Sequence, residues 1–114
     1  MKAIKAYVRK RVLHNVITSL ERDRFQTITV EEVSAIGTLA DPVLSRFSNE
    51  LEDRVSTMMK IELECEDKRA DRAIEIIRKS GNTDLPGDGM VLVTSIDRAV
   101  SIQSGEEGEQ ILDV

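Results

Sequence analysis

Only one cysteine, Cys65, occurs among 114 residues. A lone thiol excludes an intramolecular disulfide and a cysteine-based zinc site. Aromatic residues make up 3% of the chain, which leaves few platforms for stacked bases. Net charge is −5, which argues against a protein built to bind duplex nucleic acid. Long apolar runs are missing too. The longest, Met90–Val93, has four residues, against about twenty for a membrane span. Residues 1–24 carry seven basic and two acidic side chains, without the apolar stretch or small-residue cleavage site of a signal peptide. These absences point to a cytoplasmic protein that is not membrane-embedded and does not bind nucleic acid.

What is present suits one globular domain. Hydrophobic residues make up 40% and charged residues 32%, enough for one modest core. Residues 2–9, "KAIKAYVR", alternate Ile4, Ala6 and Val8 on one side, as a strand does. Residues 11–22 place Val12, Val16, Ile17 and Leu20 on one helical face. Residues 27–36, "TITVEEVSAI", are β-branched and read as a second strand. In residues 57–66, Met59, Ile61, Leu63 and Cys65 face one way, and Met58, Lys60, Glu62 and Glu64 the other. A second helix follows, with Asp67 as N-cap, Ala70, Ala73, Ile74 and Ile77 as buried stripe, and Gly81 as C-terminal stop. Residues 90–95 form a further strand, and a last short one is expected near Val100 to Gln103. The predicted fold is α+β: a ferredoxin-like βαββαβ sandwich with a short C-terminal strand.

Two stretches do not read as plain connections. Gly37 to Ser56 spans about twenty residues where connections usually take about four to six. It carries Leu39, Val43, Leu44, Phe47 and Leu51 among six charges. It is either a docking element that orders on a partner or a hairpin or helical turn folded onto its own body. The second stretch is "LPGDGM", residues 85–90, where Gly87 and Gly89 flank Asp88. Two glycines around an acid suit a loop that brings bare backbone N–H groups to an anion, and also suit a turn.

Other candidates read blandly. Arg9, Lys10 and Arg11 form a basic knot and Glu106, Glu107, Glu109 and Asp113 an acidic tail, both solvated surface unless the knot lies beside a bound anion. His14 has no nucleophile on a matching element. Glu62, Glu64 and Glu66 alternate as a solvated or interface face rather than a metal site. No metal site and no enzyme activity are expected.

The same residues resemble the P-II signal-transduction family over Met1 to Leu112. "MKAIKAYVR" resembles the family's opening strand, and "TVEEVSAIG" the strand entering its long T-loop. "KIELEC" resembles the strand leaving that loop, "GDGM" the phosphate-binding B-loop, and "SIQSGEEGEQIL" the C-terminal segment. The resemblance implies a single P-II-like domain, 1–114, with a T-loop at about 37–56 and a B-loop at about 82–90. It implies a homotrimer with adenine nucleotide (ATP, ADP or AMP) in clefts between subunits, and 2-oxoglutarate in some members. Its T-loop would control a target protein such as a membrane transporter or metabolic enzyme. The third strand's Lys60, Glu62 and Glu64 give a sheet face that can pair across subunits.

Carried over by position, Thr29, Gly37, Glu62, Gly87, Asp88 and Gly89 match the nucleotide cleft, and favour a phosphate cradle over a plain turn. Thr38 and Met90 occupy two further cleft positions where the family has cations. Leu44, Phe47 and Leu51 would be the partner-binding loop residues, and Leu51 stands where the family has its modified tyrosine. Ser101 and Gln103 replace two arginines, Leu39 a glutamine, and Met58 the lysine that pairs with 2-oxoglutarate. Each lost cation removes a charge-assisted bond of about 1.5–3 kcal/mol, unless Arg9, Lys10 or another cation compensates. The resemblance thus implies either a nucleotide sensor or a degenerate scaffold that binds its partner without nucleotide or 2-oxoglutarate.

Overall fold

Alternation along the first strand sets the architecture. In the computed structural model, which describes residues 1–37 and 55–113, β1 runs from Lys2 to Arg9 and buries Ile4, Ala6 and Val8. A 3-10 turn over Lys10–Val12 leads into α1, Leu13–Arg22. β2 is Ile28–Ala35, β3 Ser56–Cys65, α2 Asp67–Gly81 and β4 Val91–Ser95. The strands form one antiparallel sheet in the order β2-β3-β1-β4. Each helix therefore connects two strands that are not neighbours, the split βαβ pattern of the ferredoxin-like sandwich.

Both helices lie on one face. Val16 and Leu20 of α1 and Ala70, Ala73, Ile76 and Ile77 of α2 share a core with Ile4, Ala6, Val8, Ile61 and Leu63. Burial of the largest of these side chains contributes roughly 1.5–3 kcal/mol each. Among the described residues, no helix lies on the other sheet face. Register places its residues in rows across the strands. One row is Thr29, Glu62, Lys5 and Leu92; the next is Glu31, Lys60 and Tyr7; the last is Val33, Met58 and Arg9.

Two predicted details are corrected, the N-cap and the buried stripe of α2, while Gly81 ends the helix as expected. Asp67 is the first helical residue rather than the N-cap. The extended Glu66 holds that position, and the Asp67 carboxylate accepts a hydrogen bond from the Met1 amino group at 2.8 Å instead. Gly81 ends α2 without a left-handed turn; Asn82 leaves the helix in an extended conformation (φ −78°, ψ 126°). The stripe of α2 is turned slightly toward α1. Ile76 is buried and Ile74 only partly; Ile74 borders a cavity of about 410 Å³, and Ile76 one of about 400 Å³ shared with α1.

The last short strand does not form as expected. Val100 makes a single bridge to Glu107, and Ser101–Gly105 is a turn closed by the Gly105 N–H donating to the Ser101 carbonyl at 2.9 Å. No neighbouring strand extends the pairing beyond this one bridge among the described residues. A 3-10 turn over Glu109–Asp113 follows.

Candidate functional site

Loop 82–90 is built from inward-facing contacts. Asn82 Oδ1 accepts from the Asp84 N–H at 2.8 Å and holds Asp84 in a left-handed conformation (φ 60°). The Asp88 N–H donates to the Leu85 carbonyl at 3.3 Å, closing a turn that contains Pro86 and Gly87. Gly87 has φ +93°, which glycine adopts without penalty. The loop then docks on β1, where the Tyr7 N–H donates to the Met90 carbonyl at 3.0 Å. Gly89 lies so close that a Cβ there would stand 1.5 Å from the Tyr7 carbonyl oxygen.

The acid between the glycines points into this framework. Asp88 Oδ1 accepts from Arg9 Nε at 2.8 Å and from the Thr83 hydroxyl, and Oδ2 accepts from the Thr83 N–H at 2.7 Å. Arg9 Nη2 also donates to the Pro86 carbonyl at 2.6 Å. Both charged side chains are only 22% exposed. Burial pushes the Asp88 carboxyl up. The hydrogen bonds from Thr83 and Arg9, with the Arg9 charge, outweigh it and bring its pKa down to about 2.

Beside the loop, Gly87, Leu85, Met58 and Thr57 line a cavity of about 390 Å³ together with Arg9, Lys10 and Arg11. The basic knot therefore does adjoin the glycine loop. Arg9 is engaged by Asp88, and Lys10 reaches Glu32 at 3.3 Å. Arg11 is exposed and has no ion pair among the described residues.

The remaining positions sort by register. Thr29 and Glu62 are direct cross-strand partners on the open face, and the Thr29 hydroxyl donates to the Glu62 carbonyl at 3.3 Å. Lys60, beside them, pairs with Glu31 at 3.1 Å; hydrogen bonding to that carboxylate raises its pKa. Glu64 is shifted upward by burial and then by the nearby Glu62 charge. Gly37, with φ +89°, follows β2. Met90 is exposed at the loop's end.

Ser101 and Gln103 stand apart from all of these. Lys2 pairs with Ser95, and the Ile96 N–H donates to the Met1 carbonyl, so the hairpin that follows grows from the Lys2 end of β1. Loop 82–90 meets the Arg9 end. Eight strand residues separate the two ends, roughly 25 Å at about 3.3 Å per residue. Thr38, Leu39, Leu44, Phe47 and Leu51 lie outside the described residues.

Two contributors escape sequence reasoning. Arg9 reads as one of three clustered cations, and Thr83 falls within the expected loop at 82–90 without being singled out. Nothing in the local pattern ties Arg9 to Asp88, 79 positions away. Cys65 is buried, and burial pushes its thiol pKa up, as expected for an inert packed thiol. His14 is exposed on α1. Among the described residues no cluster of His, Cys, Asp or Glu has a metal-holding arrangement, and no helix is long and apolar enough to cross a membrane.

Comparison with known proteins supplies the last observation. The profile of the family described as nitrogen regulatory protein P-II matches residues 1–106. The nitrogen regulatory protein P-II of Rhodospirillum rubrum is 35% identical over 109 residues, covering 95% of this chain and 96% of that protein. The nitrogen regulatory protein P-II of Rhizobium etli is 32% identical over 112 residues, covering 98% of this chain and 100% of its own length. Nitrogen regulatory protein P-II 2 of Methanothermobacter thermautotrophicus is 31% identical over 110 residues, covering 96% of each.

Proposed function

Since the chain belongs to the nitrogen regulatory protein P-II family, whose role is regulatory signal transduction, we propose that it is a cytoplasmic trimeric sensor of adenine nucleotide. Its T-loop controls a target transporter or enzyme. The observation that carries this reading is Gly87. It holds φ +93° on the wall of the cavity that also contains the basic knot. A backbone free of side chain next to cations is what a phosphate group needs.

The placement of Ser101 and Gln103 supports an inter-subunit cleft. Within one chain they lie at the end of β1 away from the loop. A second copy would have to bring them to it. The open sheet face, with its rows of Lys5, Tyr7, Lys60 and Glu62, offers the surface for that assembly.

The ligand is defined by what is missing. Met58, Met90, Ser101 and Gln103 provide no cation, and Arg9 is already paired. The third phosphate of ATP therefore gains little, and 2-oxoglutarate does not bind in the family's manner. Calorimetry with ATP, ADP and AMP tests this. Binding is expected to be weak, with ADP or AMP no worse than ATP, and Gly87→Val abolishes it. Magnesium-ATP binding at micromolar strength, far tighter than ADP, would overturn the ligand assignment. The same missing cations favour a second reading, a scaffold that engages its partner with an empty cleft. Partner capture unchanged by nucleotide and by Gly87→Val would establish it.

A further inference from the structure

We propose that Arg9 is a positioning residue: it clamps loop 82–90 in one shape and does not itself contact the bound anion. The argument starts from the two acceptors it serves. Nε reaches the Asp88 carboxylate at 2.8 Å and Nη2 the Pro86 carbonyl at 2.6 Å. These acceptors sit on either side of Gly87. A planar fork with fixed N–H directions meets both at once; an ammonium is a single point of charge on a flexible stem.

Asp88 passes the constraint on. Its second oxygen accepts from the Thr83 N–H, and the Thr83 hydroxyl donates to the first. Residues 83, 86 and 88 are thereby tied together and tied to the last residue of β1. Two residues of the loop, Asp84 and Gly87, hold left-handed backbones. A free loop would sample many other shapes. The clamp selects one of them, and so the Gly87 backbone faces the cavity before any ligand arrives.

The same contacts remove Arg9 from the pool of phosphate-binding cations. Its charge is matched by Asp88 at short range, with both groups only 22% exposed. Among the described residues, the cation left over at the cavity is Arg11. This assignment rests on the nucleotide reading only for its second measurement.

The test uses the full-length chain with two substitutions, Arg9→Lys and Asp88→Asn, each checked for an unaltered melting profile outside the loop. Hydrogen exchange without nucleotide comes first. Both variants are expected to exchange the amides of residues 82–90 about tenfold faster or more, the loss of one charge-assisted bond read as an opening equilibrium. α2 and the central strands stay protected. Lysine at position 9 keeps the charge and must still fail, because it cannot serve both acceptors. Loop exchange unchanged in either variant would overturn the proposal.

ADP titration comes second. Positioning predicts that both variants bind several-fold more weakly. If Arg9 were instead a phosphate contact in waiting, Asp88→Asn would release its charge, and ADP would bind tighter with a steeper salt dependence. That outcome also overturns the proposal. If the unaltered protein binds no nucleotide while the exchange result holds, the clamp stands and the nucleotide reading fails.

Discussion

The Tyr7 carbonyl oxygen leaves no space for a β-carbon at residue 89. Gly89→Ala must push two backbones apart, and overpacking of this kind costs about 1–3 kcal/mol or more. Gly37→Ala meets nothing within 4 Å among the described residues and bears there only its positive φ, a cost of about 1 kcal/mol. Thermal unfolding should therefore rank the alanine at 89 clearly below the alanine at 37; equal melting temperatures would show that the loop yields at Tyr7. Asp88 carries a pH dependence of definite sign. Its folded pKa of about 2 lies below the unfolded aspartate value of about 4. The unfolded chain therefore binds more protons in between. The stability that Asp88 contributes is complete above about pH 4 and is lost as pH falls toward 2. Acid titration of stability should show this component in the unaltered protein and not in Asp88→Asn. Little of this was legible in the sequence. The Gly-Asp-Gly triplet is visible, and its bareness reads as room for an anion. In the structure one of its glycines makes room for Tyr7, and its acid points at Arg9. Both partners are distant along the chain, and close approach of distant backbone leaves no local pattern.

The elements were far more legible, since alternation and helical period report directly on which face is covered. The β1 bounds agree, and β3 differs from the expected range by one residue at each end. α2 shows what the pattern cannot say. Ile74 and Ile76 are chemically identical and both flank the Ala73–Ile77 line. Only packing against α1 decides that Ile76 is the buried one. Ile76→Ala should cost about 2–5 kcal/mol. Ile74→Ala should cost clearly less, because a half-buried side chain gives up less area. Denaturant melts of the pair would reveal equal losses if the helix were turned the other way. The residues near Val100 fail as a strand for a different reason: a strand needs a neighbour, and among the described residues Val100 bridges only to Glu107.

At the scale of the whole molecule, the described helices cover one side of the sheet and leave Lys5, Tyr7, Lys60 and Glu62 on the other. A 12.8 kDa chain with that open face should assemble, and light scattering at micromolar concentration is expected to report about three times the chain mass. A stable monomer there would remove the cleft that the proposed sensor requires. The strand order carries a second consequence, in time rather than space. β1 precedes the other three strands along the chain and, like β3, lies inside the sheet, flanked by β3 and by β4. Its final partner closes with Ser95 opposite Lys2. At roughly 5–20 residues per second, a ribosome leaves β1 without that neighbour for about 5–20 seconds after it emerges. Over that interval β3 can close one edge of β1, while the edge meant for β4 stays open to pairing with other chains. The order in which the two edges of this eight-residue strand close is thus set by its place at the centre of the sheet and not at its rim.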